Sequence, residues 1–319
     1  MHNHPNHMSL KQAIQQYLSR RSARLSPNTI KRYRTVLNRF ARLTGQEKAF
    51  DQVDDHDIEL FQSTIKGELG RNTQRFYADI LHTFFKFWVR RGKSEVVYAD
   101  IEGPRRTEHV PNFISEEEFA LIDDLFDEDD YYQLTKKLIF NLLWDTGMRI
   151  GELLALNIED IDSNKRQVTI RTKKTDRLRV LVWSEYTHKL LLKYLGVRIN
   201  LSDQPELFQT PLKKQFNSLN TRLSDRSVQR WCKKLEETLG FSINPHAFRH
   251  GKMRKILLSG GVRADVQVVA GHSSIVSSEV YVRLNEEGQR KLQDKFLGRS
   301  VSTKVQRPWK ELRYAAKHV

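Results

Sequence analysis

The sequence predicts a mainly α-helical protein with a small β-sheet, divided into two domains. Apolar residues recur three and four positions apart over most of the chain, and two short β-prone segments interrupt that pattern. A polar stretch with two prolines separates two helical regions. At 319 residues, with 39% hydrophobic content, the chain is long enough to bury a core in each domain. The predicted order is a helical bundle followed by a mixed α/β domain.

The first domain is predicted over residues 10–101, after a disordered leader at 1–9. Its apolar residues form successive faces, as in about four helices packed as a bundle. The polar faces carry several cations, namely Lys31, Arg32, Arg34, Arg39 and Arg42. A surface that binds phosphate groups and an ordinary solvated face explain these cations equally well.

Residues 102–112 are a predicted linker, because they combine prolines and charges and show no apolar periodicity. The second domain is predicted over residues 113–298, followed by a basic tail at 299–319. The acidic run at 123–130 lacks the glycine and the closing glutamate of a calcium loop. It is therefore predicted to be a solvated helix end and turn.

The second domain is predicted to begin with a helix after Ser115, which can cap it. A helix over 134–144 follows, and another begins around Arg149, after a glycine break. Two β-prone segments, 167–170 and 178–183, are joined by a polar turn and predict a hairpin. The chain then returns to helices that glycines interrupt.

The charge balance favours a polyanionic partner. There are 54 Lys and Arg against 39 Asp and Glu, a net charge of +15, although a merely basic surface also fits this count. The single cysteine, Cys232, excludes an internal disulfide and a zinc site built from cysteines, and it predicts a reducing compartment. The sequence has no apolar run of membrane-spanning length and no signal-peptide core, so a cytoplasmic protein is expected.

Four segments place a cation or an imidazole where the local structure can fix it. Arg149 lies at a predicted helix start, and Glu152 shares its face and can orient it. Lys173 and Lys174 occupy the tip of the predicted hairpin, where a lysine is usually solvated but can also enter a groove. From these segments alone, a surface ion pair and solvated turn lysines are the favoured interpretations.

The segment PHAFRH at 245–250 places His246 and Arg249 on one helical face. Two histidines in this segment suggest zinc, but a permanently charged arginine between them argues against a metal site. Further along, His272 follows a glycine and Tyr281 lies nine residues beyond it. Taken singly, these two residues fit an ordinary helix start and an ordinary core position.

Together these residue types are the set needed for attack on a phosphodiester without a metal ion. Two guanidinium groups can neutralise the charge that develops during phosphoryl transfer. An imidazole can assist deprotonation of a phenol nucleophile, and a lysine can protonate the departing alkoxide. The residues themselves do not show that the groups meet in space.

Four segments and a tyrosine, in this order along the chain, resemble the tyrosine recombinase family of phage integrases and Xer proteins. They are TGMRIGELLAL at 146–156, TKKT at 172–175, HAFRH at 246–250, and AGHSS at 270–274 with Tyr281. The resemblance extends from Leu10 to Gly298 and covers nearly the whole chain. It implies a core-binding helical domain of the SAM-like type and a catalytic domain, which together form a C-shaped clamp around duplex DNA.

The resemblance also implies roles for the residues that match its motifs. Arg149 and Arg249 would bind the non-bridging oxygens of the scissile phosphate, while His246 would assist proton transfer. His272 would make a further phosphate contact, and Tyr281 would be the nucleophile that forms a 3′-phosphotyrosyl bond.

The remaining matches have supporting roles in the family. Lys174 would be the general acid for the departing 5′-hydroxyl, with Lys173 as the alternative. Glu152 would support the first arginine, and His250 would be an accessory residue. Ala270 and Gly251 depart from the usual pattern, and Gly251 is expected to loosen the helix that follows.

The family further implies a homotetramer on two double-stranded DNA recombination sites, assembled by exchange of the C-terminal segment. No cofactor, metal ion or ATP is expected, a nucleoid-associated location follows from the DNA substrate, and an accessory protein can take part.

The basic tail favours an integrase or resolvase of a mobile element. The alternatives are a Xer-type resolvase of chromosome or plasmid dimers, a non-catalytic DNA-binding protein of the same fold, and a type IB topoisomerase-like enzyme. A metal-dependent nuclease is least favoured, because no carboxylate cluster accompanies the histidines.

Overall fold

The structure is a computed structural model that describes residues 8–107, 111–171, 178–210 and 221–271. The chain divides into two compact units, Met1–His109 and Val110–Val319. Each unit has its own hydrophobic core, and three short strands accompany the helices. The predicted fold class, mainly α with a small sheet, is confirmed. Among the described helices, none combines the length and the apolar character that crossing a bilayer requires.

Four α-helices form the described part of the amino-terminal unit. They are α1 (Leu10–Ser22), α2 (Pro27–Thr44), α3 (Asp55–Lys66) and α4 (Arg71–Val89), with 3-10 turns at Phe50–Gln52 and Tyr98–Asp100. Ser9 caps α1 through a reciprocal pair of hydrogen bonds with Gln12. Ser9 is also buried and pairs with Ala49, so the predicted disordered leader is wrong at its end, whereas residues 1–7 lie outside the described ranges.

Aromatic side chains hold this bundle together. The ring of Tyr17 on α1 packs edge to face on Phe84 and Phe87 of α4, at centroid distances of 5.2 and 5.1 Å. Phe40 on α2 makes the same kind of contact with Phe61 on α3, at 5.3 Å. Such pairs add to the burial of apolar area, so the three-and-four spacing seen in the sequence corresponds to a real core.

The carboxyl-terminal unit is a mixed α/β domain. Its helices are α5 (Glu116–Asp124), α6 (Tyr131–Thr146), α7 (Ile150–Leu153), α8 (Glu185–Leu201), α9 (Asp225–Leu239), α10 (Pro245–Leu258) and α11 (Arg263–Ala270). Its strands are β1 (Ile161–Asp162), β2 (Gln167–Arg171) and β3 (Leu178–Val182), and a 3-10 turn lies at Ile158–Asp160.

The three strands form one antiparallel sheet in the order β1, β2, β3. Val168 of β2 lies opposite Leu181 of β3, and both side chains are buried. The predicted hairpin strands are therefore confirmed. The sequence did not predict β1, because two residues are too few to show an alternating pattern.

Helix α6 is buried on most of its surface and packs against α8 and α10. It is longer than the predicted helix at 134–144, because Asp130 caps its first turn and Gly147 ends it in the left-handed conformation at φ 61°. Gly251 lies where α10 crosses this core. A Cβ there would be 2.3 Å from the carbonyl oxygen of Ile114 and 2.8 Å from the ring of Trp144. The expectation that Gly251 loosens its helix is wrong, because the glycine permits close packing.

The acidic run at 123–130 is less solvated than predicted. Lys137 on α6 is buried and pairs with Asp123 at 3.5 Å and with Glu128 at 3.0 Å. The hydroxyl of Tyr186 donates to either carboxylate at 3.0 Å. Burial raises the pKa of Tyr186 to about 12. The run is therefore partly an internal ion-pair network that ties α5, α6 and α8 together.

Candidate functional site

Arg149 stands immediately before α7 and is fixed by Glu152 in two ways. Its backbone N–H donates to Oε2 of Glu152 at 2.7 Å, and its Nη1 donates to Oε1 of the same carboxylate at 3.0 Å. The Arg149 side chain is 39% exposed, whereas that of Glu152 is 18% exposed. The carboxylate thus restricts the rotation of a guanidinium group that solvent and ligands can still reach.

Arg179 on β3 completes the surroundings of that carboxylate, and sequence reasoning missed it. Its Nη2 lies 2.5 Å from Oε2 of Glu152, and its Nη1 donates to the carbonyl of Val269 at 2.9 Å. Burial lowers the pKa of Arg179, while the charge of Glu152 opposes that shift. Arg179 lies two residues before Leu181 in β3, so both side chains face the buried side of the sheet. This alternation could have identified Arg179 as a buried charge.

Arg249 lies one turn into α10, a helix that begins at Pro245 under a cap from Asn244. It is only 3% exposed. Its Nη1 donates to the carbonyl of Gly147 at 2.7 Å, and its Nη2 donates to the carbonyl of Ala270. The side chain therefore joins the turn before Arg149 to the end of α11.

His246 lies in the first turn of α10, and its side chain is exposed at the surface. Its pKa is lowered, first by burial of part of the ring and then by the positive charges of Arg249 and Arg149. Both guanidinium groups therefore act on one imidazole, although they come from segments far apart in sequence. The ring of His250 is its neighbour, with centroids 6.4 Å apart.

The stability of the carboxyl-terminal unit is expected to fall in mild acid because of His250. Burial, followed by the charges of His246 and Arg249, lowers the pKa of His250 to about 4. The unfolded chain binds this proton near pH 6.5, so stability is complete above that pH and is lost as the pH falls from about 6.5 towards 4. We expect a loss of about 1–2 kcal/mol, allowing for partial exposure of the ring.

Denaturant unfolding of the wild type and of His250→Gln between pH 4 and pH 7 measures this effect. Glutamine at position 250 binds no proton in this range, so the free energy of unfolding of the variant should fall less than that of the wild type over this window. Equal losses in the two proteins would contradict the assignment.

Four predicted site residues, Lys173, Lys174, His272 and Tyr281, lie outside the described residues. The structure brings together the others of the carboxyl-terminal set, namely Arg149, Glu152, His246, Arg249 and His250. Within the described ranges, no group of three or more His, Cys, Asp or Glu side chains is arranged to hold a metal ion.

The five predicted cations of the amino-terminal unit differ in their surroundings. The guanidinium of Arg32 stacks on the ring of Phe76 at 4.1 Å, and Arg39 forms an ion pair with Glu68. The other three are exposed, namely Lys31, Arg34 and Arg42. Stacking and pairing orient Arg32 and Arg39, and Nε of Arg42 donates to the carbonyl of Asn38 at 3.3 Å, so three of the five cations are held by neighbours on the protein surface.

A second set of cations in this unit was not singled out from the sequence. They line a groove of about 460 Å³ where the last turns of α1 and α4 approach each other, and they are Arg20, Arg21, Arg24, Lys86, Arg90 and Arg91. Its lining contains no acidic residue. Like charges so close together repel one another, so a polyanion in the groove would relieve that repulsion.

Known proteins support the resemblance that the motifs suggested. The family model described as Phage integrase family matches residues 113–288, and the model described as Phage integrase, N-terminal SAM-like domain matches residues 10–93. Tyrosine recombinase XerC of Alcanivorax borkumensis is 30% identical over 271 residues, which cover 82% of this chain and 85% of the relative. The XerC of Shewanella amazonensis is 26% identical over 275 residues, which cover 85% of this chain and 90% of the relative.

Solved structures share the fold. The XerH site-specific recombinase bound to its palindromic difH substrate matches with a TM-score of 0.70 at 16% identity, over 92% of this chain and 98% of the other. A lambda integrase dimer bound to a core site matches with a TM-score of 0.68 at 14% identity, over 86% and 77%. The family models and the 30% identical relative show that the chain belongs to the phage integrase family of tyrosine recombinases.

Proposed function

We propose that this protein is a site-specific DNA recombinase that cuts and rejoins DNA strands through a 3′-phosphotyrosyl intermediate. The observation that carries the proposal is the meeting of Arg149, His246 and Arg249 at one place. Two cations beside an imidazole suit the transition state of attack on a phosphodiester, because their positive charges neutralise the negative charge that develops on the phosphate oxygens. A protein that only binds DNA does not need a tyrosine at the position of Tyr281, and the full set that includes it therefore favours an enzyme.

The first chemical step uses Tyr281 as the nucleophile. Its phenol oxygen bonds to phosphorus, the bond from phosphorus to the 5′ oxygen breaks, and His246 accepts the phenol proton. The lowered pKa of His246 supports this role, because it keeps the imidazole neutral and able to accept a proton at pH 7. Lys174, or Lys173 in its place, donates a proton to the departing 5′ oxygen. His272 makes a further contact to the phosphate.

Strand exchange follows when the 5′-hydroxyl of a second strand attacks the phosphotyrosine. This attack forms a new phosphodiester and breaks the bond between phosphorus and the tyrosine oxygen, so the number of phosphoester bonds is unchanged and no nucleotide cofactor is consumed. The two guanidinium groups take over the charge neutralisation that a metal ion supplies in other phosphoryl transfers. The reaction is therefore proposed to run without ATP or a metal ion.

The amino-terminal unit is proposed to bind the phosphate backbone of duplex DNA. The predicted cations lie on helix α2, and a second set of cations lines the groove between α1 and α4. Both surfaces supply positive charge that phosphate groups can contact. The proposed domain limits are residues 10–101 for this DNA-binding domain and 113–298 for the catalytic domain. A homotetramer on two DNA sites completes the proposal.

Two biological roles fit this chemistry. The basic tail at 299–319 favours an integrase or resolvase of a mobile element. The similarity to XerC proteins favours the second candidate, a Xer-type resolvase of chromosome or plasmid dimers. Integration of a linear donor into a target, compared with resolution of a plasmid dimer that carries two directly repeated sites, distinguishes the two roles.

The chemistry is tested with a library of randomised duplexes, each with a nick that lets the short cleaved fragment diffuse away and traps the enzyme on DNA. The protein is incubated with the library in EDTA, and covalent protein–DNA adducts are isolated under denaturing conditions. We expect adducts whose digestion releases a peptide that carries DNA on Tyr281. No adduct with any duplex, or attachment at another residue, would overturn the proposal.

A further inference from the structure

Arg179 carries a buried charge for which the proposed phosphate chemistry has no direct use. Its side chain is 5% exposed, on the inward face of β3. Burying a guanidinium group is costly unless excellent partners compensate for lost hydration, and a methionine could fill the same volume without that cost. The partners that Arg179 binds therefore indicate what the charge is for.

The partners of Arg179 are Glu152, which orients Arg149, and a backbone carbonyl at the end of α11. On one side, Glu152 accepts from Arg179 and, through the same oxygen, from the backbone of Arg149, while its other oxygen binds the Arg149 side chain. On the other side, the carbonyl of Val269 accepts from Arg179. One side chain thus connects the carboxylate that orients Arg149 to the last turn of α11.

The last turn of α11 is also held from α10. The carbonyl of Ala270, next in sequence to Val269, accepts from Arg249. Carbonyl groups at a helix end lack partners inside the helix and carry partial negative charge, so two guanidinium groups are well matched to them. Gly271 then ends the helix in the left-handed conformation at φ 61°, and His272 is the next residue in the chain.

We propose that Arg179 is a positioning residue for the cleavage reaction. It fixes Arg149 through Glu152 and fixes the end of α11, from which the segment with His272 and Tyr281 departs. Both effects act on the chemical step more than on total DNA affinity, because the Nη groups of Arg179 are engaged by Glu152 and Val269 and the scissile phosphate is only one of many phosphates in duplex DNA. The inference rests on the proposed function for its catalytic consequence but not for its structural one.

Arg179→Met removes both hydrogen bonds and keeps most of the volume. We expect single-turnover cleavage of the duplex selected above to slow by about 10–100-fold at saturating protein, since a small misplacement of reacting groups has effects of that size. The dissociation constant for the same duplex should change by less than about twofold. Arg179→Lys, which keeps the charge but cannot span both partners, should give an intermediate rate.

Arg222→Met is the matched control. Arg222 donates to the carbonyls of Leu154 and Leu156 and to Oδ1 of Asn157, so its hydrogen bonds in the same unit go to neither Glu152 nor α11. It should lower thermal stability and leave the cleavage rate of the folded protein unchanged. A wild-type rate in Arg179→Met, or an equal loss of rate in both variants, would overturn the positioning role.

Hydrogen exchange of the DNA-free proteins tests the structural link independently of catalysis. Peptides covering residues 263–271 should exchange at least about threefold faster in Arg179→Met than in the wild type, and at the wild-type rate in Arg222→Met. Unchanged exchange in Arg179→Met would overturn the inference even if the enzyme is active. Faster exchange without any wild-type adduct would overturn the proposed function and keep the structural link.

Discussion

Arg249→Lys is expected to lower the rate of covalent adduct formation by about 100- to 1,000-fold, the range found when one preorganised donor to a developing anion is lost. The guanidinium of Arg249 is planar and forked, so it can hold the carbonyls of Gly147 and Ala270 and still present a donor to a phosphate. A lysine ammonium keeps the charge but has a different shape and cannot hold both carbonyls in the same way. The rate is measured in single turnovers on the duplex that traps the wild type.

Loss of stability alone must be separated from loss of chemistry in this test. Arg198 on α8 offers a matched control, because it is fully buried and also binds backbone carbonyls through its guanidinium group. Its acceptors are the carbonyls of Ser202, Gln204 and Glu206. Arg198→Lys should lower the melting temperature without slowing adduct formation below that temperature. Equal slowing in both variants would show that Arg249 acts only through folding.

Gly251→Ser is expected to lower the free energy of unfolding by about 2 kcal/mol or more. A side chain at this position meets the carbonyl oxygen of Ile114 at 2.3 Å, and that segment is itself held by a hydrogen bond from Ile114 to Ala247. Backbone atoms cannot move aside as a flexible side chain can, so overpacking of about 1–3 kcal/mol exceeds the helix-propensity gain from replacing glycine. Denaturant unfolding of the full chain gives the difference.

Gly196 supplies the opposite case within the same unit. It lies inside α8, and a Cβ there would meet nothing within 4 Å. Gly196→Ala should therefore raise stability by about 0.5–1 kcal/mol, because it reduces the conformational freedom of the unfolded chain. If Gly251→Ser also left stability unchanged or raised it, the close approach of α10 to Ile114 would be contradicted.

The sequence predicted those parts of the site that repeat a local pattern. Arg149 with Glu152, and His246 with Arg249, are three residues apart, so helical geometry alone places each pair on one side of its segment. Their meeting across the domain could not be predicted in this way, since it depends on α10 packing against α6. The family resemblance, and not the physics of either segment, supplied that link.

Two sets of buried ion pairs were not predicted, because their partners are distant in sequence. Arg179 finds Glu152 and Val269 from a strand that looked like an ordinary hairpin, and Lys137 finds the acidic run that looked solvated. Arg179 stands among apolar residues in β3, and Lys137 is buried on α6, a helix that is buried on most of its surface. A charge at a buried position indicates a nearby partner, because the charge is tolerated only where a partner offsets its lost hydration.

The two carbonyls that end α11 have a thermodynamic consequence for the enzyme. The cations that bind Val269 and Ala270 also belong to the site, one through Glu152 and the other directly. An anion that restrains Arg149 and Arg249 must then restrain the base of the following segment, and a contact that immobilises this segment must strengthen anion binding by the same factor. Occupancy of the proposed phosphate site and the order of the last turn of α11 are thus linked parts of a single equilibrium.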